Sequence, residues 1–181
     1  MTVRRVDGEV SNSLYRSGTD RPGLGRCGAV CCKCERMKTI NKSALVPFSA
    51  QQMFDLVNDV ESYSAFLPWC RSSRVLSANE DELRASIEIA HGSLHKSFTT
   101  CNRLQRGKMI EMRLEEGPFR HLEGFWRFNA LSEEACKVSL DLEFEFSSRL
   151  VGMAMGPIFT QITSSLVDAF SKRATEVYGK A

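Results

Sequence analysis

Three histidines and seven cysteines are the obvious places to look for chemistry in this 181-residue chain. His91 and His95 flank a Gly92-Ser93 turn. A hairpin could bring them together, but no third ligand stands at a metal-binding offset, so surface turn histidines are the plainer reading. Cys27, Cys31, Cys32 and Cys34 crowd the N-terminal segment in a spacing unlike the separated knuckles of a zinc ribbon. Cys70, Cys101 and Cys136 are scattered and the total is odd, which fits a reducing compartment. No Gly-x-Ser-x-Gly, phosphate loop or dinucleotide fingerprint is present. General acid–base chemistry would need an acid or base positioned in an apolar cavity. The inward strand positions assigned below are almost all apolar. The expectation is therefore a binding protein with no catalytic residue, metal or resident cofactor.

Large apolar side chains are the more informative constellation. Phe66, Leu67, Pro68 and Trp69 place three bulky groups at a helix end and loop. Leu150, Val151, Met153, Ala154 and Met155 are apolar almost all round the first turns of a later helix. Methionine is flexible and polarizable, as suits an adaptable ligand wall. Trp69, with Phe66 and Leu67, is expected to guard a cavity entrance together with Met153 and Met155. Phe98, Phe119, Trp126, Phe128, Leu142, Phe144 and Phe159 complete the candidate wall. Gly156 and Pro157 should kink the helix and offer a hinge for ligand entry.

Positioning these groups requires two kinds of element. Residues 39–46 read as a strand ended by Pro47. Ser49 and Gln52 form a capping box, with Phe48 stapled to Met53, for a helix whose stripe is Met53, Phe54, Val57 and Val60. A second short helix is expected over Glu61–Phe66, stopped by Pro68. From Arg71 the period becomes two. Leu83, Ala85, Ile87 and Ile89 alternate with polar residues, as do Ile110, Met112 and Leu114, then Trp126 and Phe128. Val138, Leu140, Leu142, Phe144 and Phe146 do so most clearly. Turn signals at 78–81, 91–93, 106–107 and 116–118 separate about six antiparallel strands. Ser148–Tyr178 reads as one long helix with a buried stripe of Ile158, Ile162, Leu166, Ala169, Phe170 and Val177. Gly152, Gly156 and Pro157 interrupt that helix, leaving space against the sheet that side chains alone are not expected to fill.

Charge divides the chain. Residues 1–36 carry seven basic and four acidic residues and five glycines, and read as a disordered extension. Their Arg and Ser content suggests a transit segment, but four acids argue against it. Residues 37–181, starting at Met37, form the folded domain, with 17 basic and 18 acidic residues. That balance exerts no global pull on nucleic acid, and no DNA partner is expected. Arg71 with Arg74, Arg103 with Arg106 and Lys108, and Lys172 with Arg173 are local basic clusters. Glycines and polar residues break the longest nearly uncharged run, 150–167, so no spanning helix is expected.

Short matches in one order carry a family resemblance over Met37 to Ala181. They include Leu45-Val46-Pro47-Phe48-Ser49, Leu56-Val57-Asn58-Asp59-Val60, Phe66-Leu67-Pro68-Trp69-Cys70 and Ser97-Phe98-Thr99-Thr100. Gly117-Pro118-Phe119, Gly124-Phe125-Trp126-Arg127-Phe128, Phe144-Glu145-Phe146 and Arg173-Ala174 continue the series. This pattern resembles the START-like family of coenzyme-Q-binding chaperones, proteins labelled polyketide or oligoketide cyclases, and ribosome-association toxins. The resemblance implies an α+β helix-grip fold, a curved antiparallel sheet wrapped around a long C-terminal helix, with a hydrophobic cavity. It implies two functions. One is binding of ubiquinone or a related isoprenoid or polyketide lipid in support of respiration. The other is a toxin that binds the large ribosomal subunit, blocks its association with the small one and so inhibits translation initiation. The implied partners are an apolar small molecule, the large ribosomal subunit and transient contact with a membrane surface. The implied location is the cytoplasm or the periphery of the inner membrane.

Overall fold

Seven antiparallel strands and one long helix account for most of the computed structural model, which describes residues 37–179. The expectations for the first 36 residues, including their cysteine cluster, lie outside the described residues. In chain order the elements are β1 (Lys38–Val46), α1 (Ala50–Asn58), a 3₁₀ turn (Val60–Ser62), α2 (Tyr63–Phe66), β2 (Cys70–Ala78), β3 (Glu82–His91), β4 (Leu94–Gln105), β5 (Met109–Glu116), β6 (Phe119–Ser132), β7 (Ala135–Phe146) and α3 (Arg149–Tyr178). The sheet order is β1-β7-β6-β5-β4-β3-β2. Strands β2 to β7 thus form a meander, and β1 pairs with β7 at the far edge, Ala44 opposite Val138. The segment holding α1 and α2 carries the chain from one sheet edge to the other. The fold is α+β, with a curved antiparallel sheet and a long C-terminal helix, as expected.

Local chemistry explains the short helices. Ser49 Oγ accepts from the Gln52 amide at 3.1 Å, and Gln52 Oε1 accepts from the Ser49 amide at 2.9 Å, a closed capping box. α1 then buries Ala50, Met53, Phe54, Leu56 and Val57. The single helix expected over Glu61–Phe66 is instead a 3₁₀ turn followed by one α-helical turn. Ser62 Oγ donates to Asp59 Oδ2 at 2.5 Å, and the Tyr63 hydroxyl reaches back to the Val57 carbonyl at 2.5 Å, tightening the segment. Pro68 lacks the amide that would extend α2.

In β7, Cys136, Val138, Leu140, Leu142, Phe144 and Phe146 are all buried, while Lys137, Ser139, Asp141, Glu143 and Glu145 face outward. α3 lies against β1, β7 and α1. Its buried residues are Met155, Gly156, Phe159, Ile162, Thr163, Val167, Phe170 and Ala174. This stripe is rotated from the expected one: Ile158, Leu166 and Ala169 are only half-buried at its flank, and Val177 is exposed. Two aromatic anchors set the rotation. Phe159 packs 4.8 Å from both Phe119 and Phe144, and Phe170 packs 5.3 Å from both Trp126 and Phe66. They stand eleven residues apart in the sequence, about three helical turns, and so share one face. α3 runs unbroken through Pro157. A Cβ on Gly156 would stand 3.2 Å from Lys38 Nζ and 3.7 Å from Phe146 Cε2, so α3 lies close to β1 and β7 at this point. By length and composition α3 is also apolar enough to cross a membrane. Here one face of it forms part of the core.

Candidate functional site

Between α3 and the inner face of the sheet lies a cavity of about 80 Å³. Ala85, Ile87 and Ile89 of β3, Phe98, Thr100 and Asn102 of β4, Met112 of β5, Leu122 and Trp126 of β6, and Leu140 and Leu142 of β7 form its floor. Phe159, Ile162, Thr163, Leu166 and Phe170 of α3 roof it, and Val60, Tyr63 and Trp69 close one side. Gly124 keeps the floor low. A Cβ there would come 2.7 Å from Leu142 Cδ1 and 2.8 Å from Met112 Cε, two of the wall groups.

Outside the cavity, a groove of about 240 Å³ runs between the middle of α3 and the β3–β4 turn. Pro68, Trp69, Ala90, His91, Ile158, Gln161, Ile162 and Ser165 line it. Trp69 and Ile162 border both spaces. The Trp69 carbonyl accepts from the Ala90 amide at 2.9 Å, which ties its backbone to β3 where the residue lines both groove and cavity.

Of the expected wall residues, Trp69, Phe98, Trp126, Leu142 and Phe159 line the cavity and Pro68 lines the groove. Phe66, Leu67, Phe119, Phe128 and Phe144 pack behind the wall, Leu67 and Phe144 almost completely buried. The two methionines expected beside Trp69 do not meet there. Met155 is 1% exposed in the core and Met153 is 67% exposed. Residues two apart on a helix point about 200° apart, so one face cannot hold both. Leu150, 80% exposed, is likewise no part of the wall.

Four polar residues on the wall escaped the sequence reading: Tyr63, Thr100, Asn102 and Thr163. The expectation that inward positions are almost all apolar fails on β4, where Phe98, Thr100 and Asn102 share the inward direction. A β-bulge between Thr99 and Thr100 interrupts the register with β5 at that point. The available signal was a polar residue two and four positions after an inward phenylalanine. Asn102 Oδ1 is buried with no hydrogen-bond partner among the described residues. The Thr163 hydroxyl donates to the Phe159 carbonyl at 2.8 Å. Burial first, then Asp59 and Cys70, pushes the Tyr63 phenol well above its usual pKa, so it stays protonated at neutral pH. No carboxylate or imidazole stands on the cavity wall among the described residues.

Ionic residues lie elsewhere. Arg84 forks onto Glu115 at 2.6 to 2.9 Å, Arg113 bonds Glu111 at 2.6 Å, and Arg127 pairs with Asp141. His95 Nδ1 lies 3.3 Å from Arg71 Nη1 and 3.7 Å from Glu88 Oε1. Among the described residues no group of three or more His, Cys, Asp or Glu is arranged to hold a metal ion.

A sheet gripping a helix over an apolar cavity is the geometry of a family described as polyketide cyclase / dehydrase and lipid transport, whose model matches residues 46–171. This chain belongs to that START-like family. The ribosome association toxin RatA of Pseudomonas aeruginosa is 51% identical over 140 residues, covering 77% of this chain and 97% of the toxin. A mitochondrial coenzyme Q-binding protein of Xenopus laevis is 31% identical over 144 residues, covering 77% of this chain and 59% of the frog protein. Among solved structures, the Zhui aromatase/cyclase from a Streptomyces species superposes with a TM-score of 0.71 at 16% identity, covering 81% of this chain and 98% of that one. That likeness speaks to the fold alone. Family membership thus accounts for the helix-grip architecture.

Proposed function

We propose that this protein binds an apolar ligand of the isoprenoid-quinone or polyketide class between α3 and the sheet, in support of respiration, and acts as a binder rather than an enzyme. The cavity, which shares Trp69 and Ile162 with the outer groove, carries this reading. A space of about 80 Å³ is smaller than the roughly 150 Å³ cavity that accommodates a benzene ring, so a quinone head must displace side chains to enter. Trp69 and Ile162, shared by cavity and groove, are the groups whose movement would join the two spaces. An isoprenoid tail could follow the groove, each buried methylene contributing about 0.8 kcal/mol. Among the described residues the wall has no carboxylate or imidazole to move a proton, and the raised pKa of Tyr63 removes its phenol as a base at neutral pH. A binder of this kind works in the cytoplasm and meets the inner membrane transiently to exchange its lipid.

The test is organic extraction of protein purified from its host, followed by mass spectrometry. The expected result is a stoichiometric quinone or related lipid. An empty extract, with no thermal shift on adding quinone, refutes the carrier reading.

A second reading is favoured by the toxin named above, 51% identical to this chain across nearly the toxin's whole length. On this reading the protein binds the large ribosomal subunit and blocks subunit association. Arg103, Arg106 and Lys108 cluster about the β4–β5 turn without an ion pair among the described residues, and could meet phosphates. Co-sedimentation with large subunits that weakens as salt rises supports it. Absence of binding at low salt removes it.

A further inference from the structure

Two large apolar side chains that the cavity does not use stand on the outside of α3. Leu150 is 80% exposed and Met153 67% exposed, both in its first turns. Leu150, Ala154, Pro157 and Gln161 recur at helical spacing and are all exposed, so they form one outward stripe, with Met153 beside it. From Leu150 to Val167 the helix carries no charged side chain. The two flanks of the stripe differ. Successive helical residues are turned by about 100°, so Gly156 and Ile158 look out on opposite sides of Pro157. On the Gly156 side stands Lys38, its Nζ 3.2 Å from where a Cβ of Gly156 would be. Lys42 shares that face of β1, since Lys38 and Lys42 stand opposite Phe144 and Leu140, both buried on the inner side of the sheet. Arg149 opens the helix next to Leu150. All three cations are exposed, and none has an ion pair among the described residues. On the Ile158 side lies the outer groove, to which α3 contributes Ile158, Gln161, Ile162 and Ser165.

An uncharged apolar stripe with a cationic edge on one side and a ligand groove on the other suits one kind of surface. The plane of an anionic bilayer offers hydrocarbon to Leu150 and Met153 and phosphate to Lys38, Lys42 and Arg149. An RNA surface would meet the cations but leave the apolar groups without a partner. A second copy seated on the same face would bring two cationic edges into one interface. Resting on the carrier reading above, we infer that the outer face of the first half of α3 docks the protein on anionic lipid and turns the mouth of the groove toward the membrane. A lipid leaving the bilayer then meets Pro157 and Ile158 before it meets water, and passes from them into the groove that shares Trp69 and Ile162 with the cavity.

The experiment is flotation of the full chain with phosphatidylcholine vesicles, with and without phosphatidylglycerol, alongside the thermal shift produced by a short-chain quinone. The protein should float with the anionic vesicles and not with the neutral ones, and less as salt rises. Leu150→Ser and Met153→Ser should each weaken that binding about tenfold, as expected for losing most of one apolar side chain's burial. Lys38→Gln should weaken it about fivefold. Lys172→Gln, the same change of charge at the far end of α3, should leave it unaltered. All four positions are exposed and none lines the cavity or the groove, so Tm and the quinone shift should hold in every variant. Absence of flotation, or flotation that the Leu150, Met153 and Lys38 variants leave unchanged, overturns the inference, and a quinone shift in the same protein leaves the carrier reading standing. Flotation that responds to these variants without any quinone shift refutes the carrier reading and keeps the membrane surface. A dimer in solution that Leu150→Ser dissociates assigns the stripe to a second copy and overturns the inference.

Discussion

The two tryptophans offer a direct test of the gate, because one sits in the core and the other between cavity and groove. Trp126 is 2% exposed, stacked at 6.5 Å on Phe128 and edge-on at 5.3 Å to Phe170. Truncating such a residue costs about 3–5 kcal/mol, from lost transfer energy and an unfilled cavity. Trp69 is only half-buried and has cavity on one side and groove on the other. Its truncation forfeits fewer contacts, and about 2 kcal/mol is expected by scaling the same range to partial burial. For a domain of this size each kcal/mol moves Tm by roughly 3 °C, so the expected losses are about 12 °C for Trp126→Ala and about 6 °C for Trp69→Ala.

The ligand response should then separate the two variants in the opposite sense. Because Trp69 lines both the space of about 80 Å³ and the one of about 240 Å³, removing its indole should join them and widen the path to solvent. Stopped-flow displacement of a bound quinone should therefore show dissociation about tenfold faster, equivalent to about 1.4 kcal/mol off the barrier to release. Trp126→Ala should enlarge the cavity behind an intact gate, leaving release slow once its lower stability is allowed for. If Trp69→Ala melts as early as Trp126→Ala, the indole is core and not gate. If it melts late but releases ligand at the normal rate, the path to solvent lies elsewhere.

Two further outcomes follow from the local structure. Ser49→Ala opens the capping box of α1 and should cost about 1 kcal/mol in denaturant melts, with Ser49→Asn restoring most of it. Stability should also fall in alkali. Burial raises the Cys136 thiol from 9.0 to about 11 and raises the Tyr63 phenol above its ordinary 10.0. Above those ordinary values the unfolded chain loses protons that the folded one retains, so unfolding is favoured as pH rises. The Cys136 contribution should fade between about pH 9 and pH 11 and the Tyr63 contribution from about pH 10 upward. Chemical denaturation across that range should show the decline, shallower in Tyr63→Phe; an unchanged slope there would mean the phenol is wet.

Strands β3, β6 and β7 were easy to find in the sequence because one face of each is wet and the other dry. The run from Val138 to Phe146 declares its period without help, and the capping box at Ser49 declares the start of α1. What stayed hidden depends on distant parts of the chain. β1 is mostly exposed along an edge of the sheet, so its own residues do not announce β7 as partner. The rotation of α3 follows from Phe159 and Phe170 meeting rings contributed by β6, β7 and α2, which a helical period alone does not specify. Met153 and Met155 were grouped by composition, and helical geometry places them on different sides. The aromatic part of the site was legible because Trp69, Phe98 and Trp126 are large and rare. The polar part was not, because reading inward positions by hydrophobicity discards Thr100 and Asn102 as breaks in the pattern.

Those breaks carry a physical meaning of their own. At the same depth β7 offers Leu140 and Leu142, and β3 offers Ala85, Ile87 and Ile89, so apolar groups evidently fit this layer. A chain that needed only a core would gain by placing Val and Leu at positions 100 and 102. Retaining Asn102 with an unmet oxygen costs about 1–3 kcal/mol, a large share of the 5–15 kcal/mol that keeps a typical domain folded. On this logic Asn102→Leu should raise the Tm of the ligand-free protein in a thermal melt. An Asn102→Leu protein that is less stable than its parent without ligand would mean that the amide is satisfied in the resting state, and the cavity's polarity would then belong to folding rather than to binding.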